Sequence, residues 1–464
     1  MSVDEIFKAS GPAVPIRGVH LDLKGTPPTA GRLLELLELF AALRYNAVLV
    51  EWEDTFPWTV DERFRCETAY TPEQVRNFRD AAGRLGLEVV PLVQCLGHME
   101  TPLGTPGYEH LREVGHRADV LNPLAPGAGD LIRRMVEDVL ALLPGVKHFH
   151  LGGDEAWSFG MHPDTKAFIE KHGKGALYLH HVEPVLEILG GRGVRPILWH
   201  DMMQDWDAAS LRRLAALADL CVWGYRGHPD TTAGHHSSKV IERFRRHGVP
   251  LWGATAYKGA SGHNVDLPDV ELHQVNALGW AEVAPRYGLK GVFATAWSRY
   301  STHNVHSETI DASLDSLVNV AVILHDGRPP KEGLEACVAA LDAVGEKVRF
   351  EACRNAMEKL TGARRTGWSA VAALREQVVM ATLDPRRRSG GQLVRFLQRL
   401  GQSATDARAA GEQVRAAYSE LVEPVWIDRY LAERISPLET ELAALASSVR
   451  ELDPLGFGAA ELKS

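Results

Sequence analysis

Asp154 and Glu155 stand side by side directly after Gly152-Gly153, at the end of the apolar stretch 148–151 (HFHL). Glycines at a strand end let the backbone turn sharply, so the acids just past them are displayed at a rim. Adjacent negative charges repel, and the pairing is unfavourable unless something uses it. The bland alternative is a helix N-terminus, where the dipole favours acids. Most enzymes that cleave glycosidic bonds hold two carboxylates roughly 5 to 10 Å apart across the bond. Consecutive residues are poorly placed for that. They suit the variant reaction in which the sugar's own 2-acetamido oxygen attacks the anomeric carbon. One acid then protonates the departing oxygen, a role for Glu155. A carboxylate beside it holds the acetamido N–H and stabilises the positive oxazolinium ion, a role for Asp154.

Such a pair needs a frame, and the chain supplies a repeating one. Apolar, β-compatible runs occur at 17–23, 47–52, 88–94, 148–151, 195–199, 220–223, 250–254 and 291–296. Segments with helical periodicity come after them, among them 29–43, 71–85, 128–143, 272–287 and 310–324. Eight strand–helix units read as an α/β fold, a (β/α)8 barrel over residues 1–330, with its active site on the loops after the strands' C-terminal ends. The notable polar and aromatic residues fall at those ends. His20, Asp22 and Lys24 go with the first strand, Glu51, Glu53 and Asp54 with the second, and His98 and Glu100 with the third. Trp199 and Asp201, Trp223 and Tyr225, Tyr257, and Trp297 mark strands five to eight. A mouth lined by acids and tryptophans suits a carbohydrate, whose C–H faces stack on indole and whose hydroxyls bond carboxylates. Residues 331–464 change character: rich in Ala, Leu, Glu and Arg, they read as an α-helical C-terminal domain packed on the barrel or on a partner subunit, so a homodimer is possible.

Bulk properties bound the function. The net charge of -9 is spread without long blocks, which does not favour nucleic acid. Five cysteines show no disulfide framework and no metal-ligand spacing, which suits a reducing compartment. The N-terminal sequence has no secretory signal, and no apolar run reaches the roughly 20 residues that span a bilayer. The expectation is a cytoplasmic protein with no membrane partner, no cofactor and no metal.

The motif HLGGDE resembles the signature of glycoside hydrolase family 20, the β-N-acetylhexosaminidases. The wider match is to the hexosaminidase D branch, through RGVHLDLKGTPP, VEWEDTFPW, VVPLVQCLGHME, HLREVG, LNP, WHDM, CVWGY, YKGASG and TAWSRY in order over about residues 15–325. The resemblance implies an exo-acting, retaining enzyme that releases a terminal 2-acetamido-2-deoxy-β-hexose. It implies that Arg17 binds sugar hydroxyls and that His98 supports the acid pair. Trp199, Trp223 and Trp297 would wall the acetamido pocket, and Tyr225, with Tyr257 in reserve, would donate to the acetamido oxygen. Larger family members carry an acid just after the last tryptophan. Here the run is Trp297-Ser298-Arg299, which leaves Glu53, Asp54 or Arg299 for that contact. Two rivals share the barrel. A metal-dependent hydrolase could draw ligands from His20, Asp22, His98, His150 and Asp201, though none form a familiar spacing. A non-catalytic glycan-binding barrel would explain the aromatic mouth but not the acid pair.

Overall fold

The computed structural model describes residues 3–262, 264–298 and 306–453. Its centre is a closed barrel of eight parallel strands in sequence order: β1 (Ile16–Asp22), β2 (Ala47–Glu51), β3 (Glu88–Leu92), β4 (His148–His150), β5 (Arg195–Trp199), β6 (Asp219–Trp223), β7 (Leu251–Lys258) and β8 (Gly291–Ala296). β7 runs further than the sequence suggests, because Ala256 and Lys258 still pair with β8 across a register shift. Helices alternate with the strands, and their starts are chemical. The Thr29 side chain accepts from the Arg32 N–H to open Ala30–Ala42. Thr71 and Gln74 form a reciprocal capping box at the start of Pro72–Arg84.

Side-chain alternation decides what fills the barrel. Leu49, Val90, Leu92, Ile197, Trp199, Cys221, Trp252, Ala254 and Phe293 form one buried cluster, flanked by Ile16, Trp223 and Trp297. Within each strand these members share one parity, as a two-residue period requires. Phe293 reaches the axis only because Gly18 faces it; a Cβ at Gly18 would collide with that ring.

The chain divides into two compact units, Met1–Lys347 and Val348–Ser464. Helix Gly333–Ala343 packs on Val3–Ile6 and Leu314–Asp326 and so belongs with the barrel, beyond the change of character at residue 331. The second unit is helical, built of Lys347–Leu383, Gly390–Tyr418 and Pro424–Leu452. Small residues set its spacing: a Cβ at Gly367 would lie 2.7 Å from Leu438.

One buried ion cluster ties the start of the barrel unit to its end. Arg32 binds Glu346 through two hydrogen bonds of 2.8 Å and Asp311 at 2.9 Å, with all three side chains largely or wholly buried. Their negative charges hold the guanidinium proton more tightly than usual, against burial that opposes the charge. Arg32→Met would strip two buried carboxylates of their cation and should lower the free energy of unfolding by about 3–5 kcal/mol. Urea titration reads this directly, and a loss below about 1 kcal/mol would contradict the role given to the cluster.

Candidate active site

β4 is only three residues long, and the backbone just past it is unusual. Gly152 and Gly153 take φ of 58° and 81°, the left-handed region that suits glycine. Their close neighbours also exclude a side chain: a Cβ would collide with Gln94 at Gly152 and with Tyr178 at Gly153. Gln94 Oε1 accepts from the Gly153 N–H at 3.2 Å, and the Tyr178 hydroxyl donates to the Gly153 carbonyl at 3.0 Å. Glu155 itself sits at φ 47°, and its N–H donates to Asp201 Oδ2 at 2.9 Å. The opposing loop after β3 brings His98, also left-handed at φ 55°. It can approach because Gly97 has no Cβ to strike the Asp154 carbonyl.

His98 Nε2 lies 3.5 Å from both Asp154 Oδ2 and Glu155 Oε2. Burial opposes a charge on the imidazole, but the Asp154 carboxylate and hydrogen bonds to both acids outweigh it, so His98 holds its proton well above the ordinary histidine range. The cation offsets part of the repulsion within the pair. Asp201 closes the other side, accepting from Trp223 Nε1 at 3.1 Å as well as from Glu155. Burial, then the nearby Asp154 charge, raise its carboxyl to about 7 against the pull of those donors.

These groups line a cavity of about 360 Å³ at the C-terminal end of the barrel. Asp154, Glu155, His98, Trp223, Tyr225 and Trp297 all face it. Trp223 and Tyr225 stack at 5.5 Å and 20°, and Tyr225 meets Trp297 at 6.2 Å. Asp154 Oδ1 is buried and has no hydrogen-bond partner among the described residues.

Other expected site residues lie elsewhere. Arg17 is near the N-terminal end of β1, with the outward parity, and donates to the carbonyls of Arg44, Val14 and Pro15. It is therefore at the opposite end of the barrel from the acids and does not line the cavity. Tyr257 is fully buried on β7, two residues after Thr255, whose hydroxyl bonds Asn276 in the helix layer. It does not line the cavity. Trp199 points inward but one layer lower, fully buried between His150 at 4.2 Å and Trp297 at 6.1 Å. It is a floor beneath the wall. Glu53 faces a small side pocket of about 30 Å³, and its carboxylate accepts from Thr101 at 2.8 Å. Asp54 lines neither space. Arg299 lies outside the described residues. Among the described residues the five ligands of the metal rival do not gather into one cluster: His20 faces Glu51, Asp22 accepts from the Ser298 N–H, His150 accepts from the Gly152 N–H, and His98 and Asp201 both engage Glu155.

Lys24, Gln94, Asp201 and His235 also line the cavity. The sequence reading sets Lys24 and Asp201 at strand ends without a role in the sugar site, and gives Gln94 and His235 no place there. Lys24 Nζ binds Glu51 at 2.6 Å and lies 3.4 Å from Asp22. Three of the four were discoverable. Lys24, Gln94 and Asp201 each continue the inward parity of their strand by one or two steps past its end. His235, deep in the loop after β6, carries no such signal.

The Asp201 geometry has a measurable consequence. An aspartate in an unfolded chain titrates near 3.9, so between about pH 4 and pH 7 the folded protein keeps a proton there that the unfolded chain has lost. Stability should fall as pH rises across that window. Asp201→Asn should flatten the decline. Superimposable stability–pH profiles for the variant and its parent would contradict the shift.

Comparison with known proteins places this geometry. Residues 15–236 match the sequence model described as "Glycosyl hydrolase family 20, catalytic domain". The chain is 36% identical to human hexosaminidase D over 323 residues, 67% of this chain and 66% of that protein, so it spans slightly less than two thirds of that relative. It is also 36% identical to bovine hexosaminidase D over 322 residues, 67% of this chain and 92% of that protein. The fold is similar to that of a β-N-acetylhexosaminidase from Bacteroides fragilis, with a TM-score of 0.54 and 17% identity over 73% of this chain and 72% of that one. The chain that carries this acid pair just past β4 therefore belongs to glycosyl hydrolase family 20.

Proposed function

We propose that the protein is an exo-acting, retaining β-N-acetylhexosaminidase that uses the substrate's acetamido group as its nucleophile. One observation carries this reading. The buried Asp154 Oδ1 lacks a partner beside Glu155, in a cavity walled by Trp223, Tyr225 and Trp297. A buried acceptor without a donor is unfavourable by about 1–3 kcal/mol until something supplies the N–H. An acetamido N–H does so and places its methyl among the aromatic rings.

The steps derive from the positions. Asp154 accepts from the acetamido N–H and Tyr225 donates to its oxygen, which aims that oxygen at the anomeric carbon. The oxygen attacks while Glu155 gives its proton to the glycosidic oxygen, and the leaving group departs as an alcohol. Asp154 then sits against the positive oxazolinium ion. Glu155, now a base, takes a proton from water, which opens the ring and restores the acetamido sugar with retained configuration. One His98 imidazolium faces both acidic side chains and offsets the repulsion between them. Lys24, fixed by Glu51, and Gln94, which donates to Glu51 at 3.2 Å, are the polar groups offered to the sugar hydroxyls in place of Arg17. The names of the two hexosaminidase D relatives support the same substrate class.

No described helix is long and apolar enough to cross a membrane. All five cysteines are unpaired, and on that ground we place the protein in a reducing, cytoplasmic compartment.

Glu155→Gln keeps the shape and removes the proton. It should lower turnover of an unactivated 2-acetamido glycoside about 10²- to 10⁴-fold. Full activity of that variant would remove Glu155 from the reaction.

A further inference from the structure

The mechanism leaves one side chain of the cavity unused. Trp157 stands two residues after Glu155 and lines the same space, yet its indole is 72% exposed. Trp223 and Trp297, which wall the acetamido pocket, are half-buried.

The exposure does not come from a loose loop. The Trp157 N–H donates to the Glu155 carbonyl at 2.7 Å, and Ala156 between them is buried. Further along, the buried Glu113 carboxylate accepts from the N–H groups of Gly160 and His162, at 2.8 and 3.0 Å, and from the Thr165 hydroxyl at 2.5 Å. A large indole is thus held out in water by a pinned turn. Exposed aromatic surface at the rim of a cavity marks a place where something binds.

Glu155 identifies the direction. Its proton goes to the oxygen that joins the sugar to its leaving group, so the leaving group emerges on the Glu155 side of the cavity. His235 also lines this mouth, and its Nε2 has no hydrogen-bond partner among the described residues. Glu100 adds a carboxylate, which disfavours an anionic leaving group. We propose that Trp157 is the platform for the leaving group, and that the preferred leaving group is a neutral pyranose ring stacked on its indole, with His235 bonding one hydroxyl. This rests on the glycosidase reading above and adds to it the class of aglycone: a glycan chain instead of a small or charged alcohol.

The test compares two substrates of the full-length protein: a β-linked N-acetylglucosamine disaccharide, and methyl N-acetyl-β-glucosaminide, whose leaving group has no ring. Trp157→Ala should reduce the ratio of kcat/KM for the disaccharide to that for the methyl glycoside about tenfold, mainly through KM for the disaccharide. Trp157→Phe, which keeps an aromatic face, should recover most of the ratio. An unchanged ratio, whether both rates fall together or neither falls, would overturn the platform while leaving the glycosidase reading intact. Failure of the unaltered protein to cleave either substrate or its N-acetylgalactosamine counterpart would overturn the glycosidase reading, and the platform with it.

Discussion

Two carboxylates on consecutive residues repel each other, and the barrel mouth is built to hold them together. The clamp has two arms. His98, protonated, sits 3.5 Å from each acid and supplies positive charge. Asp201 takes the Glu155 N–H and so fixes the backbone between the acids. Neither arm would reach without glycine: Gly97 lets the His98 loop touch the Asp154 carbonyl, and Gly152 and Gly153 turn the chain at the strand end.

That arrangement also concentrates strain. Five described residues other than glycine have left-handed backbone: Glu53, His98, Glu155 and Asn264 follow the C-terminal ends of strands at this end of the barrel, and Arg44 alone precedes a strand. Each such position costs about 1–3 kcal/mol and persists only where its surroundings impose it. Here the surroundings are a barrel interior filled by Trp199, Trp252 and Phe293 and a buried Arg32–Asp311–Glu346 cluster that closes the unit. The rigid lower barrel supports a mouth that local preference alone would not adopt. Strained groups held where charge develops are a recurring arrangement at catalytic centres.

Much of this was legible in the sequence. The alternation of apolar runs and helical periods pointed to eight strands, because each unit must bury one face on a common axis. The cavity was legible in part because its polar and aromatic residues fall at or just past the strands' C-terminal ends. Asp154 lies four steps beyond His150, and Tyr225 and Trp297 continue β6 and β8 in the same phase. Arg17 and Tyr257 do not reach the cavity: Arg17 has the outward parity and lies at the base of β1, and Tyr257 is fully buried on β7. Trp199 has the right parity and the wrong height, since it pairs with Cys221 and so lies one layer below Trp223. Loop residues such as His235 were not legible, because their position depends on a fold of the loop that carries no period.

The central claim is that the substrate's acetamido oxygen, and not a second protein carboxylate, is the nucleophile. The most direct measurement compares initial rates on nitrophenyl β-glycosides that differ only at carbon 2, N-acetylglucosamine against glucose and N-acetylgalactosamine against galactose. The account predicts hydrolysis of the acetamido sugars and none of the plain ones. Comparable rates on both members of a pair would contradict it.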